Sequence, residues 1–152
     1  MNYSDALGHK VAPGGLRPTD LLLLRSRSMH AFMCAQARPL YVVSPILPSR
    51  RLTDLSRTGK LDLWRMALRV VCMQARKQAR LLGDTDAHPC QKGSEAPFEA
   101  LELNIGAYQN LPHLHLKAWV SAAAHEAQWQ LNETYRTLRA FSYHLGPLEQ
   151  RR

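Results

Sequence analysis

The sequence predicts an α+β domain: an antiparallel sheet of about four or five strands, one long helix packed on it, and a second helix at the C-terminus. Three observations predict it. Short apolar runs with valines, bounded by prolines, read as strands. A pattern of three- and four-residue steps from Lys60 to Leu82 reads as a long helix. Strict alternation from Pro112 to Val120 reads as a strand with one face in a core. A chain of 152 residues suits one compact domain with no need of disulfide staples.

Residues 1–19, with Gly8, Pro13, Gly14, Gly15 and Pro18, read as an irregular arm. Asp20 is placed to cap a short helix over Leu21–Ser28 by accepting from first-turn amides. Met29–Cys34 and Leu40–Pro45 read as antiparallel strands, the second stopped by Pro45 and Pro48. After Thr58-Gly59, the residues Leu61, Trp64, Leu68, Val71, Cys72, Ala75, Ala79 and Leu82 form one apolar stripe. Trp64 is thereby expected in the core, and Gly83 is expected to stop the helix. Asp84–Pro97 reads as a polar loop, where His88 and Cys90 lack the further ligands a metal needs.

Phe98–Ile105 and Pro112–Val120 read as strands joined by a tight connection over Gly106–Leu111. Ser121 is expected to cap a second helix from Ala122 to about His144. Its expected stripe is Ala124, Ala127, Leu131, Tyr135 and Leu138, with His125 and His144 on the surface. Helix packing on the same domain and docking of another chain both stay open for it. The organisation expected is an arm over 1–19, a domain over 20–120 and a helical extension over 121–152.

The net charge is +8 and it is unevenly spread. Residues 1–82 hold 14 Lys/Arg against 4 Asp/Glu, and residues 83–152 hold 6 against 8. This reads either as a solvated basic face or as attraction to a polyanion, RNA included. No interleaving of basic and aromatic residues supports base reading. The three cysteines, Cys34, Cys72 and Cys90, form no CxxC pair. Their odd number favours free, buried thiols in a reducing compartment, the mitochondrial matrix or the cytoplasm, and not secretion. Residues 1–51 are Arg-rich and acid-poor, as organelle-targeting regions are, but no amphipathic presequence is legible. No apolar run approaches the ~20 residues of a transmembrane segment.

Chemistry gathers in one segment. Alternation puts His113, His115 and Lys117 on one face, while Leu114, Leu116 and Ala118 point toward the core. Two imidazoles beside an ammonium suit a phosphate, and a neutral imidazole can attack phosphorus once its tautomer is fixed. Just upstream, Asn104 and Gln109 supply amide side chains, and Gly106 permits close backbone approach.

The order Asn-x-Gly-x-x-Gln-x-x-Pro-His-x-His over 104–115 resembles the histidine-triad (HIT) nucleotide-binding family, especially its short-loop members. Lys117 stands where the third histidine would be. The resemblance covers about residues 25–120, with Met29–Cys34 and Leu40–Pro45 similar to the family's first hairpin. Arg51–Ser56 is similar to the segment before its long helix. It implies a nucleotidyl hydrolase or transferase acting on nucleoside phosphoramidates or dinucleoside polyphosphates. His115 would be the nucleophile, His113 its orienting neighbour, and Asn104, Gln109 and Lys117 the phosphate-holding groups. It implies no cofactor and no metal, and a homodimer.

Three departures weaken nucleoside recognition. These are Lys117 itself, Cys34 at the position of an acidic ribose ligand, and Pro48 at the position of a histidine after the second strand. A second reading therefore stays open: a catalytically degenerate protein, a pseudoenzyme, acting as a subunit of a larger assembly such as a mitochondrial one. Its protein partner would dock through the C-terminal helix.

Overall fold

The computed structural model describes residues 3–4, 10–11, 21–33, 38–86, 88–92, 97–105 and 113–132. Its strands are β1 (Tyr3–Ser4), β2 (Lys10–Val11), β3 (Leu21–Arg25), β4 (Met29–Met33), β5 (Leu40–Pro45), β6 (Ala100–Asn104) and β7 (His115–Trp119). The helices are α1 (Arg57–Leu81) and α2, residues 122–132. The last five strands form one antiparallel sheet in the order β3-β4-β5-β7-β6. The α+β architecture read from the sequence is therefore present.

Alternation decides which way each strand faces. Met29, Ala31 and Met33 of β4, Tyr41 and Val43 of β5, and Leu116 and Ala118 of β7 pack with Leu63, Met66, Ala67, Val70 and Val71 of α1 in one core. The residues between them face the other side of the sheet, the side away from α1.

Two strand-level expectations change. Leu21–Ser28 is not a helix: Leu21–Arg25 is an edge strand paired with β4, with a bulge between Leu22 and Leu24. Leucines favour helix locally, but ladder pairing with a neighbouring strand overrides that preference. The turn that follows is held by the Ser26 hydroxyl, which accepts from the Ser28 amide at 3.3 Å and the Met29 amide at 3.0 Å. Within the arm read as irregular, Tyr3 and Ser4 pair with Val11 and Lys10.

The long helix is present, but its buried face is not the one the periodicity suggested. It begins at Arg57, where Ser56 caps it by accepting from the Gly59 amide at 3.0 Å. Gly83, at φ +87°, provides the left-handed turn that ends it. The side chains against the sheet are Leu63, Met66, Ala67, Val70, Val71 and Gln74. Leu61, Trp64 and Leu68 are 47%, 40% and 43% exposed, so Trp64 is not a core residue. The helix carries two apolar stripes with the same spacing, and only the position of the sheet selects between them.

α2 also docks through an unexpected stripe. Ser121 caps it, accepting from the Ala124 amide at 3.1 Å. Its buried residues are His125, Gln128 and Asn132, whereas Ala127 is exposed. His125 is thus not a surface residue, and it stacks on Trp129. The Gln128 amide donates to Gln78 Oε1 at 2.8 Å and its oxygen accepts from the Tyr41 hydroxyl. The Asn132 amide donates to Gln74 Oε1 at 2.9 Å, and its oxygen accepts from Lys77 Nζ, also at 2.9 Å. This polar seam binds α2 to α1 and to the core face of the sheet. Tyr135, Leu138 and His144 lie outside the described residues.

Cys72 and Cys90 are joined in a disulfide, with Cα atoms 6.0 Å apart. The expectation of free thiols is corrected for this pair, and with it goes the inference from cysteine count to a reducing compartment. An odd total fixes only that one thiol stays outside an intrachain pairing. Cys34 lies outside the described residues. Among the described residues no helix is long and apolar enough to cross a membrane.

Two outcomes follow for chemical denaturation and thiol titration. Leu63→Ala should cost about 2–5 kcal/mol, and Leu68→Ala, on the same helix, about 1 kcal/mol or less. Protein unfolded without reductant should titrate one thiol, and all three of its cysteines after reduction. Reduction should lower stability by roughly 3 kcal/mol for a loop of this size.

Candidate functional site

The histidine-bearing strand is anchored from behind. Leu114, Leu116 and Ala118 are fully buried in the core, and the Leu114 amide donates to the Ser49 carbonyl at 2.6 Å. With those side chains committed to the α1 side, His113, His115 and Lys117 face the opposite side, as the alternation predicts. β7 lies between β5 and β6, so these three are flanked by side chains from both neighbours.

The tautomer of each imidazole is set by a carbonyl. His115 Nδ1 lies 3.0 Å from the His113 carbonyl oxygen. A carbonyl only accepts, so Nδ1 carries the hydrogen, and in the neutral ring Nε2 keeps its lone pair. His113 Nε2 likewise donates to the Pro45 carbonyl at 3.1 Å, which ties the row to the end of β5. Burial pushes the His113 imidazole down to about 4, with lesser contributions from His115 and His30 against the opposing Pro45 carbonyl. Burial also lowers His115, helped by the Lys117 ammonium and opposed by the His113 carbonyl and Glu102. Both rings are neutral at neutral pH.

The strand β6 supplies Asn104, which the sequence reading named, and Glu102, which it missed. Glu102 is directly opposite Lys117, and Asn104 is opposite His115. Lys117 Nζ sits 3.4 Å from Glu102 Oε1, and the Trp119 indole N–H donates to Glu102 Oε2 at 3.1 Å. With its amide turned to suit its neighbours, Asn104 donates to Glu102 Oε1 at 2.7 Å and accepts from Lys117 Nζ at 2.9 Å. Three side chains from two strands, Lys117, Trp119 and Asn104, thus converge on the Glu102 carboxylate. The signal was present in the alternation of Phe98–Ile105, which places Glu102 and Asn104 on one face.

On the other flank lie His30 of β4 and Ser44 of β5, paired in register. His30 Nε2 is 2.7 Å from Ser44 Oγ, and both residues are buried. Neither was singled out from the sequence, because each sits in a strand that reads as apolar. Asn104, His113, His115 and Lys117 are therefore gathered on one face of the sheet. Gln109 and Cys34 lie outside the described residues. Pro48 is exposed. Among the described residues no group of three metal-ligating side chains converges.

No protein-family model and no curated protein matches this sequence. Several solved structures align with the chain, and they are histidine-triad proteins. The diadenosine triphosphate hydrolase of Plasmodium falciparum, in complex with cyclomarin A, aligns at 14% identity and TM-score 0.46, over 75% of this chain and 74% of that one. A HIT-like protein involved in cell-cycle regulation from Bartonella henselae aligns at 14% identity and TM-score 0.47, over 72% and 84%. A zinc-bound histidine triad family protein from Mycobacterium smegmatis aligns at 15% identity and TM-score 0.43, over 76% and 88%. At such scores these are likenesses, and the functional reading rests on this chain's own residues.

The neutral imidazoles make stability depend on pH. The unfolded chain takes up a proton on each ring near pH 6.5, whereas folded His113 resists protonation until about pH 4. The unfolded state therefore binds more protons in this window, and stability falls as pH drops through it. The loss should approach about 3 kcal/mol for His113 alone. His113→Gln should flatten the decline in denaturant midpoint between pH 7 and pH 4.5.

Proposed function

We propose that this chain is a histidine-triad-like nucleotide-phosphate-binding protein in which His115 is the nucleophile of a nucleotidyl hydrolase or transferase. The observation that carries the reading is the His115 tautomer. A hydrogen bond from Nδ1 to the His113 carbonyl leaves Nε2 with a free pair on a neutral ring, in a row that also holds an ammonium and a carboxamide.

The chemistry then runs in two displacements. His115 Nε2 attacks the α-phosphorus, an N–P bond forms, and the bond to the leaving group breaks. The leaving group departs with the bonding electrons and takes up a proton. A water molecule next attacks phosphorus, and the N–P bond breaks to return the imidazole and release a nucleoside monophosphate. His113 positions the attacking ring through its carbonyl. Asn104, Gln109 and Lys117 hold the phosphoryl oxygens, where preorganised donors are most effective. Substrates of this form are nucleoside phosphoramidates and dinucleoside polyphosphates.

One observation favours a second reading. Glu102 sits 3.4 Å from the Lys117 ammonium, so the cation that would greet phosphate is already compensated. A degenerate site that binds a nucleotide without turnover, within a subunit of a larger assembly such as a mitochondrial one, fits that feature.

Mass analysis after incubation with adenosine phosphoramidate separates the two. The quench must be non-acidic, because the N–P bond of a phosphorylated imidazole is acid-labile. The enzyme reading expects a transient adenylyl adduct and turnover in the parent, both lost in His115→Ala. His113→Ala keeps the backbone carbonyl but removes the ring's bond to Pro45 that anchors it, and should slow turnover by roughly 100-fold through misplacement of the nucleophile. No adduct and no turnover, with adenosine monophosphate still bound, would leave the second reading standing.

A further inference from the structure

We propose that Glu102 sets the charge class of the ligand, restricting the histidine row to a phosphoryl group that carries a single negative charge. This inference rests on the phosphate-site reading above and deepens it.

Glu102 is half-exposed, its side chain 48% accessible, and a lone carboxylate there would be free to swing into solvent. Here both oxygens are engaged. Oε1 faces Lys117 Nζ and the Asn104 amide, and Oε2 accepts from the Trp119 indole. The carboxylate is therefore pinned over the row, one strand away from it.

Charge counting gives the consequence. Lys117 and Glu102 cancel, and burial keeps His113 and His115 neutral. What the described row offers is a set of dipoles plus one ammonium whose charge is already answered. A phosphodiester-like group with one negative charge can share Lys117 and Asn104 with Glu102. A dianionic phosphate, or a polyphosphate chain, brings a second charge toward a fixed carboxylate. Repulsion at a half-exposed position separates the two classes by about tenfold per added charge. Of the two substrate types that the two-displacement chemistry admits, this favours the one whose leaving group is uncharged.

Two ligands isolate the effect: adenosine monophosphate at pH 8, where its phosphate is dianionic, and its methyl ester, which shares the nucleoside and phosphorus but carries one charge. Calorimetric titration of the full chain should find the methyl ester bound about tenfold more tightly. Glu102→Gln should abolish the preference, raising affinity about tenfold for the ester and about a hundredfold for the monophosphate. Trp119→Phe, which releases Oε2, should give an intermediate ratio. In the parent the preference should shrink as salt rises, a response that a purely structural role for Glu102 would not produce. An unchanged ratio in a folded Glu102→Gln protein, with both ligands still bound, overturns this inference alone. Failure of both ligands to bind either protein overturns the phosphate-site reading, and this inference with it.

Discussion

The side chains Leu114, Leu116 and Ala118, sealed under α1, fix what the other face of β7 can present. A strand has a period of two, so a slip of one residue would drive two imidazoles and a lysine into an apolar core. The side chains packed there include Leu63, Met66, Val70 and Val71, and the cost of burying unpaired polar groups against them opposes the slip. Correct register is thus enforced by packing on one side and exploited on the other. The carbonyls of His113 and Pro45 inherit their positions from the same constraint. So do the tautomers they select.

The neighbouring strands add further polar side chains to this row. β5 and β6 bring Ser44, Glu102 and Asn104 alongside β7, and β4 brings His30 beside Ser44. The cluster is assembled from adjacent rungs of one ladder. Its geometry is therefore as rigid as the sheet, and its electrostatics depend on single cross-strand neighbours.

Much of this was legible in the sequence, and the reasons differ by element. β4, β5, β6 and β7 were readable because proline boundaries and alternation agree. The facing of His113, His115 and Lys117 followed from the same period. Other features were not readable. Leu21–Leu24 favours a helix by propensity, and only the partner strand makes it extended. α1 has two equivalent apolar stripes, so periodicity could not choose between Leu63-Met66-Val70 and Leu61-Trp64-Leu68. α2 docks by a polar stripe of His125, Gln128 and Asn132, which a search for apolar spacing passes over. The contacts of Glu102 were hidden for a related reason. A glutamate on a half-exposed strand looks solvated until the residue across from it is known.

The Cys72–Cys90 bond has a further consequence for how the chain comes apart. It closes a covalent ring that contains the end of α1 and the polar segment beyond it. A single backbone cut inside that ring leaves one molecule, not two. The strands before the cut and those after it stay tethered, and the sheet that interleaves β5 from one side with β7 from the other can persist. The two fragments of a chain nicked there separate only once a reductant arrives.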